Sequence, residues 1–278
     1  MPLTQSQSSI IIAASVVGIT APAPRVTLSD LRDTVARLER HRVSAGRKAL
    51  PFGIPALDAA LPGGGLAMGA LHEIAGSGAD IQHGAAAAMF AAGIFARIEG
   101  KVLWVLEQHD LFAPGLAAAG LHPDRVIYAH ADRQDVLLVM EDGLRHRGLA
   151  GVAAELSGRI SLTASRRLQL AAEATGVTAL LLRRPGPSSR GAEAEIAGAN
   201  AAMTRWRIAA QPSAPPLPEA PDVPGLGRAN WRLDLLRNRG GQTGSWMVEA
   251  YDASGRLNMV AALANRPPTK IQRRHAAA

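Results

Sequence analysis

The spacing of apolar residues changes character twice along this chain, and each change marks a different kind of structure. Over residues 28–42, apolar side chains fall at Leu28, Leu31, Val35 and Leu38 with charges between them, and Ser29 or Asp30 stands where a helix cap belongs. That spacing of three to four predicts an amphipathic helical arm, assigned to residues 25–48, behind a flexible tail of residues 1–24. A Gly/Pro-rich stretch through Pro62-Gly63-Gly64-Gly65 interrupts the pattern. From residue 70 onward, short apolar runs alternate with longer helical patterns. Strands are predicted over 70–75, 101–107, 125–128, 149–156 and 177–182, and helices over 81–97, 112–119, 135–146 and 165–174. Continuously apolar strands are the kind buried on both faces, so the alternation predicts an α/β fold with a mostly parallel sheet and helices on both sides.

The last third reads differently. Strand patterns at 205–210, 231–237 and 246–252 follow one another without helices, and 257–263 closes a hairpin over Ala253-Ser254-Gly255. These predict an antiparallel C-terminal extension of the sheet. A proline-rich stretch over 211–227 is a loop, and residues 266–278 form a basic, flexible tail. With 278 residues and 47% hydrophobic content, one substantial core over 50–265 is the expected organisation.

Composition narrows the chemistry. There is no cysteine, which excludes disulfides and thiolate metal sites, and the histidines show no paired ligand spacing, so no metal is expected. Residues 10–19 are apolar but follow no basic segment and are too short to span a bilayer, so a cytoplasmic protein without membrane contact is expected. The formal charge of +7 comes almost wholly from arginine, the only lysines being Lys48, Lys101 and Lys270. A basic balance favours polyanionic partners.

Three motifs in order carry a resemblance. Phe52-Gly53-Ile54-Pro55-Ala56-Leu57-Asp58, Gly64-Gly65-Leu66-Ala67-Met68-Gly69 and Leu71-His72-Glu73-Ile74-Ala75-Gly76 together resemble the approach to the phosphate loop of RecA-type recombinases. Glu107 ends the next strand where that family has its water-activating glutamate, and Glu155 stands where it has a magnesium-coordinating aspartate. Arg237-Asn238-Arg239 sits where it has a basic pair that reaches a neighbour's nucleotide. Within that superfamily the chain is similar to the ImuA family, on the words Glu107-Gln108-His109-Asp110-Leu111-Phe112-Ala113-Pro114, Gly120-Leu121-His122-Pro123-Asp124-Arg125-Val126 and Leu236-Arg237-Asn238-Arg239-Gly240-Gly241. The resemblance implies a RecA-like core and a role in DNA-damage-induced mutagenesis. It implies as partners an ImuB-like polymerase homologue and an error-prone replicative-type DNA polymerase, with RecA as a further one and DNA contacted indirectly.

A working phosphate loop follows G-x-x-x-x-G-K-[ST], in which lysine meets the terminal phosphates and the hydroxyl holds magnesium. Here Gly76-Ser77-Gly78-Ala79-Asp80-Ile81-Gln82-His83 stands in its place. Ile81 replaces the second glycine, Gln82 the lysine and His83 the hydroxyl, and sliding the register to Gly84 restores no lysine. Asp80 adds a carboxylate where phosphate oxygens would lie, and is expected to cap the following helix. No ATP or magnesium is expected unless this loop is rescued, which leaves Glu107 and Glu155 as vestigial catalytic candidates.

By the same resemblance, loops after the third and fourth core strands would face DNA, which makes Arg183, Arg184 and Arg190 the candidate phosphate contacts. Leu31, Val35 and Leu38 on the arm, with Arg237 and Arg239, are candidates for contacts with other proteins. The leading reading is a non-catalytic RecA-like adaptor in translesion synthesis. The alternatives are an active or partner-completed ATPase or recombinase-like DNA-binding protein, and a SulA-like inhibitor of cell division.

Overall fold

A two-stranded antiparallel pair, β1 (Ala49–Leu50) with β2 (Leu66–Ala67), brackets a short helix, α1 (Pro55–Ala60). None of the three is visible as periodicity, because the segment is knitted by side chains. The Asp58 carboxylate accepts from the N–H groups of Phe52 at 2.7 Å and Gly53 at 2.9 Å, and this sets Phe52 and Leu57 into the core. The computed structural model describes Thr34 and residues 46–78, 80–184, 198–213, 215–217, 220, 223, 225 and 227–260. The expected arm residues Leu31, Val35 and Leu38, the loop residue Arg190 and the C-terminal tail lie outside the described residues.

Among the described residues the main sheet has nine strands. In chain order they are β3 (Leu71–Gly76), β4 (Lys101–Leu106), β5 (Val126–His130), β6 (Leu149–Ser157), β7 (Thr178–Arg184), β8 (Thr204–Gln211), β9 (Asn230–Asn238), β10 (Gly244–Glu249) and β11 (Asn258–Met259). Across the sheet they run β11-β10-β9-β8-β3-β7-β6-β4-β5. The strands from β3 to β8 pair parallel, and β8 through β11 pair antiparallel, as the two halves of the sequence pattern predict. The third of the antiparallel strands stops at Glu249, short of the expected 252. There Asp252 leaves the ladder and accepts from the N–H groups of Ser254 and Arg256 to close the turn before β11.

Helices cover both faces. On one side lie α2 (Asp80–Ala96) and α3 (Ala113–Ala118), packed with Trp104, Leu180, Leu182 and Trp206. On the other lie α4 (Val136–Leu144) and α5 (Leu162–Thr175), packed against Val105, Val152 and Leu181. The alanines of α2 let its backbone approach the sheet, and its large side chains Phe90, Ile94 and Phe95 are fully buried. Phe90 sits within 6 Å of Phe52, Trp206 and Tyr251, a cluster that joins the α1 segment and the C-terminal strands to the central layer. Helix α5 is capped at both ends: Ser161 Oγ accepts from Ala164 N at 3.1 Å, and Gly176 closes it at φ +83°.

Two features of this core make measurable predictions. His72, fully buried in β3, has Nε2 at 2.8 Å from Ala67 O and Nδ1 at 2.7 Å from the Thr204 hydroxyl. A carbonyl only accepts, so Nε2 carries the proton and the Thr204 hydroxyl donates to Nδ1 while accepting from Trp206 Nε1 at 2.8 Å. Burial pushes the imidazole down to about 4 from 6.5. As pH falls through that window the unfolded chain takes up the proton first, so stability present above pH 6.5 is lost toward pH 4. The loss is on the order of 3 kcal/mol. Urea unfolding at a series of pH values should show this decline, and His72→Leu should flatten it.

The second prediction concerns Gly93 in α2. A Cβ there would lie 2.1 Å from the Tyr251 ring, which is itself buried, so Gly93→Ala must displace an aromatic wedged between helix and sheet. Thermal or urea unfolding should report a loss of about 2 kcal/mol.

Candidate functional site

Strand β3 ends at Gly76 and α2 begins at Asp80, so the loop between them stands where a RecA-type fold holds phosphate. Ser77 N donates to Ile208 O at 2.8 Å, which continues the β3–β8 ladder into the loop. His83, expected at the magnesium-binding position, turns toward β8, where its Nδ1 accepts from Ala210 N at 3.1 Å. Gly76 is needed for this closeness, since a Cβ there would sit 2.9 Å from the His83 Cβ, and Gly78 adopts φ +98°. Gln82, at the lysine position, is exposed.

Asp80 does not act as the expected cap. Among the described residues its carboxylate bonds go to Arg184, with Oδ2 at 3.1 Å from Nε and 2.5 Å from Nη2. A full positive charge at the end of β7 outcompetes the partial charges of the helix N-terminus. Arg184 then completes its set. Nη1 donates to Asp110 Oδ1 at 2.7 Å and Glu155 Oε2 at 3.0 Å, and Nη2 donates to Asp110 Oδ2 at 2.6 Å. A guanidinium has five N–H donors, and all five are spent on three carboxylates. Glu155, buried in β6, accepts from Trp104 Nε1 at 2.9 Å with its other oxygen.

The electrostatics follow from these contacts. Hydrogen bonding and charge from Arg184 hold the Asp110 carboxyl below the ordinary range. Burial pushes Glu155 up, partly offset by the Trp104 hydrogen bond and the Arg184 charge. The carboxylates hold the Arg184 guanidinium above its usual value, the Asp110 hydrogen bond foremost. Beside this network a cavity of about 520 Å³ opens between α2 and α3, with Asp80, Asp110, Glu155 and Arg184 at its floor.

The other predicted residues fall into place around it. Glu107 accepts from Ser157 N at 2.7 Å through Oε2 and so ties the end of β4 to the end of β6. Arg183 and Arg184, expected to contact DNA phosphates, are both turned inward, because neighbouring residues of a strand point to opposite faces and each face here holds a carboxylate. Arg183 is 4% exposed and pairs with the fully buried Glu73 at 2.5 Å. Glu73 also accepts from Arg205 Nε at 2.6 Å and Asn200 Nδ2 at 2.5 Å. Arg237 donates to the carbonyl and side-chain oxygens of Asn200, and burial with the nearby charges of Arg205 and Arg239 lowers its guanidinium below the usual value. Arg239 remains exposed.

These residues do not fit a magnesium nucleotide. Among the described residues, terminal phosphates placed in this crevice would meet Asp80 and Glu155, and the Arg184 guanidinium has no donor left to give. Asp110, Trp104 and the Glu73–Arg205–Asn200 cluster were not found from the sequence. The available signal for the last was Glu73 itself, a charge in the middle of a strand that otherwise reads as buried.

No protein-family profile matches the chain. Protein ImuA of Caulobacter vibrioides strain NA1000 / CB15N is 42% identical over 210 residues, covering 73% of this chain and 84% of that protein. Protein ImuA of strain ATCC 19089 / CIP 103742 / CB 15 of the same species matches to the same extent. Among solved structures, the RadB recombinase superposes with a TM-score of 0.52 at 15% identity, covering 76% of this chain and 100% of that one, a likeness of RecA-like fold.

Replacing Arg184 tests the floor network. Arg184→Met leaves three carboxylates facing one another without a cation, a change expected to cost about 2–3 kcal/mol at neutral pH, reduced for the exposure of Asp110. The sign with pH is set by the carboxyls. Protonating them removes the repulsion in the variant, while in the parent the Asp110 contribution is lost as pH falls. Urea unfolding should therefore show the gap between variant and parent narrowing from pH 7 toward pH 4.

Proposed function

The chain belongs to the ImuA family, and from that premise we propose that it is a non-catalytic RecA-like adaptor in DNA-damage-induced, error-prone translesion synthesis. Its partners on this reading are an ImuB-like polymerase homologue and an error-prone replicative-type DNA polymerase, with RecA as a further one, and DNA is reached through them. The observation that carries the non-catalytic part is the saturation of Arg184 by Asp80, Asp110 and Glu155. Hydrolysis of ATP needs a cation free to follow charge onto the γ-phosphate and a metal held by oxygen ligands. In this crevice the carboxylates are committed to a guanidinium, and Gln82 offers no charge in place of the lysine. Glu107, bonded to a backbone N–H of the neighbouring strand, fits a role in holding the strand ends together.

The reading is tested by equilibrium binding of a labelled, slowly hydrolysed ATP analogue with magnesium, to the full chain alone and with the ImuB-like polymerase. The expected result is no saturable binding in either state, and capture of the polymerase homologue that Glu107→Ala leaves unchanged. Saturable nucleotide binding that weakens in Glu107→Ala would overturn it and make the protein a nucleotide-dependent switch.

A further inference from the structure

Helix α5 carries an apolar seam that the described residues leave open. Leu162 is 55% exposed and Leu170 54%, both on its outward side. With Arg166 between them and Glu173 beyond, they follow at intervals of four, four and three residues, so the four side chains share one face of the helix. A single exposed leucine needs no partner, but two in line, each more than half exposed, form a surface on which an amphipathic helix can pack.

The N-terminal segment is fastened to that same face. Arg47 Nη2 donates to Glu173 Oε1 at 2.5 Å. That oxygen also accepts from Gln169 Nε2 at 2.7 Å, and Gln169 Oε1 accepts from Leu71 N at 2.8 Å, so the root of the arm is tied through α5 to the start of β3. Just before Arg47, Gly46 takes φ +77°, a left-handed conformation that glycine adopts without strain and that turns the chain. Lys48 O accepts from Met68 N at 2.8 Å and fixes the other side of the root. Upstream of the turn, Val43-Ser44-Ala45 joins it to the amphipathic pattern of residues 28–42. Thr34, in the middle of that pattern, is helical and exposed.

The lengths match. A helix over 28–42 and helix α5 are each about 21 Å long, and the stripe from Leu28 to Leu38 runs about 15 Å against about 12 Å from Leu162 to Leu170. Residues 42–46 reach at most about 14 Å, which keeps the end of the arm near Glu173. Charge agrees as well, since Arg166 stands between the two leucines and Glu39 borders the apolar stripe of the arm. A link this short gives the arm an effective concentration on the order of millimolar at α5, so a second copy competes poorly for the same seam.

We infer that residues 28–42 pack in cis along the outer face of α5, with Leu31, Val35 and Leu38 against Leu162 and Leu170. A partner that takes the same three side chains must then first displace the arm from α5. The inference is independent of the adaptor reading, since it uses no residue of the crevice.

The chain has no cysteine, so thiol chemistry goes only where a cysteine is introduced. The experiment is cross-linking of the full chain carrying Thr34→Cys and Thr163→Cys with a short bis-maleimide, the products being resolved by size under denaturing conditions. The expected product is a cross-linked monomer that forms at a rate independent of protein concentration. Leu170→Asp, at an exposed position, should slow it about tenfold. Phe112→Ser, beside α3 on the opposite side of the sheet, should leave it unchanged. A cross-linked dimer whose yield rises with concentration puts the arm on a second copy and overturns the inference. A rate indifferent to Leu170→Asp overturns it too, as does a rate no faster than with Thr34→Cys and Gln108→Cys, whose second thiol lies by the cavity between α2 and α3.

Discussion

Arg184 has five donors fixed in one plane and three carboxylates within reach, and the geometry at the carboxyl end of the sheet depends on that match. The guanidinium joins the first residue of α2, the end of β6 and the loop after β4 to the end of β7. Such a network adds little net stability, because desolvation offsets most of the Coulomb attraction. What it contributes is definition. Each carboxylate is held in place by the one guanidinium, and Glu155, the most buried, is also held by the Trp104 indole. Removing Arg184 would leave all three carboxylates without this cation, Glu155 among them in a buried position.

The topology explains why these residues meet. Because β3 lies between β7 and β8, and β4 lies beyond β6, the chain must cross the sheet between β3 and β4 and again between β7 and β8. Parallel strands all deliver their carboxyl ends to the same edge, and the crossings leave a crevice there that ligands ordinarily occupy. In this protein Asp80, Asp110, Glu155 and Arg184 are separated by up to 104 residues in sequence and share that crevice. The crevice is kept by the fold whatever chemistry is placed in it. Glu107 illustrates this, since its bond to Ser157 N fastens β4 to β6 with no nucleotide involved.

Much of the fold was legible because its causes are local. Apolar runs and helical spacing located the α-helices and strands of the parallel half to within a few residues, and strand patterns that follow one another without helical spacing between them announced the antiparallel extension. The order of strands was not legible from periodicity, which says which face is buried and not which neighbour covers it. Segment 49–67 was missed for a related reason: its structure rests on one carboxylate, Asp58, and two backbone donors. The missing lysine at Gln82 was plain in the sequence, but the cation that took over the floor was not. Arg183 and Arg184 read as a basic pair fit for phosphates, although period-two alternation already required them to point to opposite faces. Each finds an acid on its own side, Glu73 for one and Asp80 with Glu155 for the other.

Asp80 shows how a correct local rule yields to a distant charge. At the start of a helix, a carboxylate is favoured by the unpaired N–H groups and the dipole, an effect of about 1 kcal/mol that fades within a turn. A guanidinium at 2.5 Å interacts more strongly and with directional hydrogen bonds, so the carboxylate turns to Arg184. The helix end then keeps an anion beside it, which satisfies the dipole without a phosphate, and the guanidinium keeps that anion from standing alone. Both halves of the old electrostatic demand are thus met from within the chain. An anionic ligand would have to break one of these bonds to form another.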